Sequence, residues 1–210
     1  MTTAQPGRSI LGRRPPWTGP VPDDDSAADA GIAGVRFEPL ARHGDDRGWF
    51  VKPFQASAIA AAGGDPVVGE VFISSSHRGV VRGLHFQEPP SDHAKTVTCL
   101  SGVIYDVVVD LRADPGGRRV ARFRLDGDAP ARLHLPSGVA HGFQALTDDA
   151  VVVYVTSTEH DPARDRGVRF DSVGIDWPLP PQAVSTRDQS FPAFDAYRWP
   201  GASSDGTGAG

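Results

Sequence analysis

The sequence predicts an all-β fold, an antiparallel sandwich or closed barrel with few short helices, on three observations. One is the alternation in Val103-Ile-Tyr-Asp-Val-Val-Val-Asp-Leu-Arg112. Here Val103, Tyr105, Val107, Val109 and Leu111 form a wholly apolar face, and Asp106, Asp110 and Arg112 lie on the other. Another is the supply of turn formers, 24 glycines and 19 prolines, which divide the chain into runs of strand length. The third is the scarcity of helical periodicity, which leaves too few helices for βαβ units.

In chain order, residues 1–30 combine proline, glycine and the acidic run Asp23-Asp24-Asp25, and read as a flexible lead. The single domain is expected over 31–197, and residues 198–210, rich in Gly, Ser and Ala, read as a flexible tail. The one helix expected is Ala56–Ala62, closed by Gly63 and Gly64. Strands are expected at 67–76, 79–87, 94–100, 103–112, 119–125, 131–135, 142–146 and 150–158, each bounded by Gly, Pro or Asp. No internal repeat is present.

Composition narrows the function. With 210 residues, 39% hydrophobic and 22% charged, the chain matches a soluble globular domain able to bury a substantial core. The net charge of −5 supplies no basic field for nucleic acid, although a local phosphate pocket is compatible with it. Cys99 is the sole cysteine, so there is neither an intrachain disulfide nor a cysteine-rich metal site. No apolar run approaches the roughly 18–20 residues that span a bilayer. Arg13 and Arg14 precede prolines rather than an apolar segment, so no signal peptide is read and a cytoplasmic location is expected.

Polar residues concentrate beside strand sequence. Arg82-Gly-Leu-His85-Phe86 is followed closely by His93-Ala-Lys95, and side chains of this kind need partners, solvent or a ligand if they point inward. Taken singly, His85 is an ordinary half-buried strand histidine and Lys95 a solvated lysine. Pro136-Ser-Gly-Val-Ala-His141-Gly-Phe143 is a tight turn that aims a histidine onto the next strand, and its Pro-x-Gly-x-x-His spacing resembles the second motif of the cupin superfamily. Arg82 and His85 are separated by an odd number of residues, so a regular strand would turn them to opposite faces. A bulge at Gly83 would bring them to one.

The segments Asp45-Asp-Arg47-Gly-Trp-Phe50, Gly79 through Gln87, Ala94-Lys95-Thr-Val-Thr-Cys99, Asp106 through Arg112, Leu135 through Phe143, Ile175-Asp-Trp-Pro178 and Ser185-Thr-Arg-Asp188 occur in this order. Together they resemble the dTDP-4-dehydrorhamnose 3,5-epimerase family, and at least as closely its antibiotic-sugar 3-epimerase relatives, over about residues 35–194. The resemblance implies a cupin β-barrel that epimerises a dTDP-linked 4-keto-6-deoxyhexose at C3, or at C3 and C5, without a cofactor. It also implies that His85 is the base and Asp188 its orienting carboxylate, with Lys95 at the 4-oxygen. Arg82 and Arg47 would hold the pyrophosphate. Arg47 and Phe50 would sit on an arm that enters a partner's site, hence a homodimer. Glu70, Phe72, His141 and Tyr154 fall at substrate-binding positions.

The sequence departs from the family pattern at several of these places. His160 stands where the resemblance expects an acid tyrosine, with Tyr154 on the same strand face as an alternative donor. Glu70 and Phe72 replace glutamine and asparagine, Lys52 a glutamate and Arg187 a lysine. Competing readings are a related cupin with another carbonyl reaction and a non-catalytic sugar-nucleotide-binding cupin. A metal-dependent cupin is disfavoured, because Gln87 occupies the second histidine position of the His-x-His motif, and His93 and Glu88 lack the spacing to join His85 and His141.

Overall fold

The computed structural model describes residues 17–19, 30–112 and 119–200. Among the described residues, twelve strands, β1 (Arg36–Pro39), β2 (His43–Asp45), β3 (Gly48–Phe50), β4 (Glu70–Ser76), β5 (Val81–Gln87), β6 (Lys95–Ser101), β7 (Val103–Asp110), β8 (Val120–Asp126), β9 (Ala131–Leu135), β10 (Val139–Ala145), β11 (Ala150–Thr156) and β12 (Asp165–Gly167), carry the fold. Two short helices accompany them, α1 (Ala56–Ala61) and α2 (Thr186–Ser190). One five-stranded sheet has the order β1-β9-β6-β11-β4 and the other β12-β5-β10-β7-β8, while β2 and β3 form a separate hairpin. All the strand pairs within the sheets and the hairpin are antiparallel.

The two sheets face each other across a core that includes Val97, Ile104, Val108, Phe123, Leu133 and Phe143. A second apolar cluster lies behind the β12–β8 sheet, where Leu84, Phe86, Tyr105, Val107, Val168 and Phe194 pack with Trp177, Tyr197 and Trp199. Strand β7 therefore has two faces as its alternation requires, and both are buried. Its wholly apolar face turns outward beneath the C-terminal segment, and the face carrying Asp106 turns into the sandwich. Removing each such Val, Leu or Phe side chain from water contributes roughly 1.5–3 kcal/mol.

The strands expected from 67 to 158 are all present, with ends displaced by three residues or fewer. Ala62 caps α1 and Gly63, at φ +75°, lets the chain leave it. Elements without apolar periodicity escaped the sequence reading. These are β1, which contains Pro39, the hairpin β2–β3, the charged β12, and α2, whose one turn is capped by the Ser185 hydroxyl accepting the Asp188 N–H. The lead and tail expected to be flexible fall mostly outside the described residues. Within them, Trp17 and Trp199 pack against the second cluster, Trp199 with its ring 5.9 Å from that of Phe86, so ordered packing continues beyond residue 197. No helix among the described residues is long and apolar enough to cross a membrane.

The bulge required at Gly83 is present. His141 pairs with His85 and Phe143 with Arg82, so Gly83 and Leu84 together oppose the single residue Gly142. Gly83 has φ +110°, and a Cβ there would lie 2.7 Å from Gly142 Cα and from the His141 carbonyl oxygen. Both constraints demand glycine. Gly83→Ala is expected to lower stability by roughly 2–3 kcal/mol. Gly174→Ala, at φ +69° with nothing within 4 Å of the added carbon, should cost about 1 kcal/mol. Urea unfolding of the two variants checks the comparison.

Candidate active site

Between the sheets opens a cavity of about 430 Å³. The bulge turns both Arg82 and His85 of β5 toward it, and β10 adds His141 beside them. From the facing sheet, β4 contributes Glu70, Phe72 and Ser74, β6 contributes Lys95, and β11 contributes Tyr154 and Thr156. The two-residue step continues through Thr158 to His160, as the shared face of Tyr154 and His160 predicts.

His85 Nε2 lies 2.8 Å from Asp188 Oδ1, and Asp188 Oδ2 accepts the Gly83 backbone N–H at 3.0 Å. One carboxylate therefore holds the ring and the bulge that aims it. Burial alone would raise the Asp188 pKa, but hydrogen bonds and charge from His85, the Gly83 N–H and Ser185 outweigh it and hold the carboxyl below its ordinary value. An ionised carboxylate only accepts, so Nε2 carries the proton and the neutral ring keeps its lone pair on Nδ1. Asp188 is itself buried behind the ring and does not line the cavity.

A second histidine–carboxylate pair lies deeper. His141 Nε2 is 2.7 Å from Asp106 Oδ2, and both residues are buried. Burial raises the Asp106 carboxyl and lowers the His141 imidazole, which favours the neutral forms on both sides of this bond. Lys95 is pulled down to about 8 by burial, against the opposing pull of Asp165 and Asp106. Its ammonium has no hydrogen bond or ion pair among the described residues. The phenol of Tyr154 is raised by burial and is 3.1 Å from the Ser74 hydroxyl, while its ring stacks on Phe72 at 4.5 Å and meets His141 edge-on at 6.1 Å.

Toward the mouth, the Arg82 guanidinium donates to the Ser76 hydroxyl at 2.9 Å and to the Ser75 carbonyl at 3.1 Å. Arg187 pairs with Asp165 at 2.6 Å, and His160, more than half exposed, has Nδ1 3.8 Å from the same carboxylate. The Glu70 carboxylate accepts the His160 backbone N–H at 3.0 Å. His93 is driven to about 3 by burial and by neighbouring Lys95 and His160, so it is neutral.

Eight of the residues singled out from sequence thus line one cavity, and Asp188 supports it from behind. Arg47 and Phe50 do not reach it. They sit on the exposed hairpin β2–β3, where Arg47 is paired with Asp45. Sequence reading missed Ser74, Thr156 and Asp165 as cavity residues. Ser74 could have been found by stepping two residues at a time along β4 from Glu70 and Phe72, whereas nothing local marks Asp165. Gln87, at the second position of the cupin metal motif, holds neighbouring loops through the Ser91 and Glu159 carbonyls and the Asp161 N–H. Among the described residues no three His, Cys, Asp or Glu side chains form a metal-ligand cluster.

A double-sheet antiparallel barrel with its polar groups gathered inside is the cupin architecture, and a histidine–carboxylate pair opposite a lysine and a phenol suits proton transfer next to a carbonyl. The comparisons with known proteins agree. The family profile described as dTDP-4-dehydrorhamnose 3,5-epimerase matches residues 29–196. A dTDP-4-dehydrorhamnose 3,5-epimerase of Streptomyces griseus is 45% identical over 168 residues, 78% of this chain and 84% of the relative. NovW, a 4-keto-6-deoxy sugar epimerase from the novobiocin biosynthetic gene cluster of Streptomyces spheroides, matches with a TM-score of 0.72 at 35% identity, covering 78% of this chain and 84% of that one. ChmJ, a 3'-monoepimerase from Streptomyces bikiniensis solved in complex with dTDP-quinovose, matches with a TM-score of 0.70 at 34% identity over 78% and 85%. The chain belongs to the dTDP-4-dehydrorhamnose 3,5-epimerase family.

The depressed Asp188 carboxyl has a pH signature. A group whose folded-state pKa lies below its ordinary value of 3.8 stabilises the fold fully above that value, and the contribution is lost as pH falls through the folded-state value. In urea unfolding below about pH 4, wild type should lose stability more steeply than Asp188→Asn, and above that the variant should be the less stable of the two.

Proposed function

We propose that this chain epimerises a dTDP-linked 4-keto-6-deoxyhexose at C3, with His85 as the base. The observation that carries the reading is the 2.8 Å His85–Asp188 bond inside a cavity that also holds Lys95 and Tyr154. The 4-ketone acidifies the neighbouring C–H. His85 Nδ1 takes that proton and the electron pair moves onto the 4-oxygen as an enolate. Asp188 stabilises the imidazolium that forms. The Lys95 ammonium lies where it can meet the developing oxygen charge, an effect worth about 2.7–4 kcal/mol for one preorganised donor.

Inversion requires a proton delivered to the opposite face of the same carbon. Tyr154 supports that role better than His160. It approaches from the sheet facing His85, and burial keeps its phenol protonated. His160 sits at the exposed mouth beside Asp165. Arg82, whose guanidinium is held at the lip by Ser75 and Ser76, is suited to the pyrophosphate. We read the chemistry as metal-independent, because Gln87 stands where a second motif histidine would and is occupied holding the neighbouring loops.

In D₂O, NMR of a dTDP-4-keto-6-deoxy sugar is expected to show deuterium entering at C3 with inversion, unchanged after dialysis against chelator. Deuterium at C5 as well would make the reaction a 3,5-epimerisation. No exchange at either carbon would leave a binding protein. His85→Ala should abolish exchange, Tyr154→Phe should retain exchange and lose inversion by about 10²-fold or more, and His160→Ala should stay within about threefold of wild type in both.

A homodimer completes the reading. Phe50 and Trp49 of the hairpin are exposed, as are Val71 and Ile73 on edge strand β4, an apolar surface suited to a second copy. If Arg47 serves the partner's cavity, mixing equal amounts of inactive Arg47→Ala and His85→Ala variants with subunit exchange should restore about a quarter of wild-type activity through hybrid dimers. Absence of recovery would show that the two residues do not act across subunits.

A further inference from the structure

We infer that Ser74 is a positioning residue for the Tyr154 phenol, holding its hydroxyl toward the sugar and stabilising the phenolate left after proton delivery. The inference rests on the proposed role of Tyr154 and deepens it. Ser74 and Tyr154 stand on adjacent paired strands, with Tyr154 directly opposite Phe72 and Ser74 one inward-facing position further along. The two hydroxyl oxygens are 3.1 Å apart, and both residues line the cavity. Phe72 stacks on the ring at 4.5 Å and 13°, which restricts its plane but cannot fix where the O–H points. No other hydrogen bond to the phenol is formed among the described residues. Either hydroxyl can donate in this bond, and with Ser74 donating the phenol keeps its own proton for the sugar.

The chemistry gives this bond a second task. When the phenol O–H gives its proton to C3, the enolate electron pair returns to form the new C–H bond and the 4-carbonyl is restored. Tyr154 is left as a phenolate in a buried place, where burial opposes the charge and the Ser74 hydrogen bond lowers the phenol pKa in compensation. Ser74 can donate to that phenolate until solvent reprotonates it, while the proton held by His85 returns to water. Without the hydroxyl, abstraction at His85 still proceeds, but the enolate is more often reprotonated by the imidazolium on the face it came from.

The test is the ratio of exchange without inversion to inversion, measured at C3 in D₂O by NMR for wild type, Ser74→Ala, Ser74→Thr and each change combined with Tyr154→Phe. Ser74→Ala is expected to raise that ratio about tenfold and to leave dTDP affinity and thermal unfolding unchanged. Ser74→Thr, which keeps the hydroxyl, should return the ratio to within about threefold of wild type. In the Tyr154→Phe background, Ser74→Ala should add nothing. A ratio unmoved by Ser74→Ala while Tyr154→Phe blocks inversion would overturn the role of Ser74 alone. Normal inversion in Tyr154→Phe would overturn the acid assignment and the role of Ser74 with it.

Discussion

The carboxylate of Asp188 is the point on which the site turns. Its two oxygens are divided between the Gly83 N–H and His85 Nε2. The first bond satisfies a backbone donor that the bulge removes from the sheet ladder, and the second fixes the imidazole tautomer. An N–H without a partner at that depth would cost about 1–3 kcal/mol, so the same group that orients the proposed base also keeps the strand irregularity in place. Bulge, ring direction and proton position are consequences of one buried charge.

Around that charge the cavity is arranged by sheet geometry. Alternation on β5, once shifted by the bulge, puts Arg82 at the lip and His85 inside. Alternation on β4 and β11 supplies the opposite wall, polar at Ser74 and Tyr154 and apolar at Phe72. The two walls belong to different sheets, so on the proposed mechanism a sugar lying between them meets an imidazole on one side and a phenol on the other. This separation distinguishes a site that can invert a carbon from one that can only exchange its hydrogen.

Much of this was legible in the sequence, for physical reasons. The odd spacing of Arg82 and His85 demanded a local irregularity, Gly83 was the only residue between them able to adopt it, and the bulge is found there. The step of two from Tyr154 to His160 placed both on one wall. The alternation of β7 announced two environments, but not that the carboxylate-bearing face is the inner one, because a buried Asp106 is tolerated only through His141, a residue distant in sequence. The role of Asp188 came from resemblance to a family and not from pattern, since Thr186–Ser190 has no apolar periodicity to mark a helix. Ser74 was within reach of the alternation along β4, whereas Asp165 was invisible because a single polar residue in a three-residue strand carries no signal until its neighbours are known. The position of His160 at the mouth is likewise a tertiary fact, set where its N–H meets Glu70.

The separation of 103 residues between His85 and Asp188 bears on biosynthesis. All twelve described strands precede, in the order of synthesis, the segment that bears the acid. A nascent chain halted at residue 180 would hold both large sheets in their entirety and still lack the carboxylate that holds His85. On the proposed mechanism competence thus arrives last, and an incomplete translation product would be a barrel whose imidazole at position 85 lacks its carboxylate.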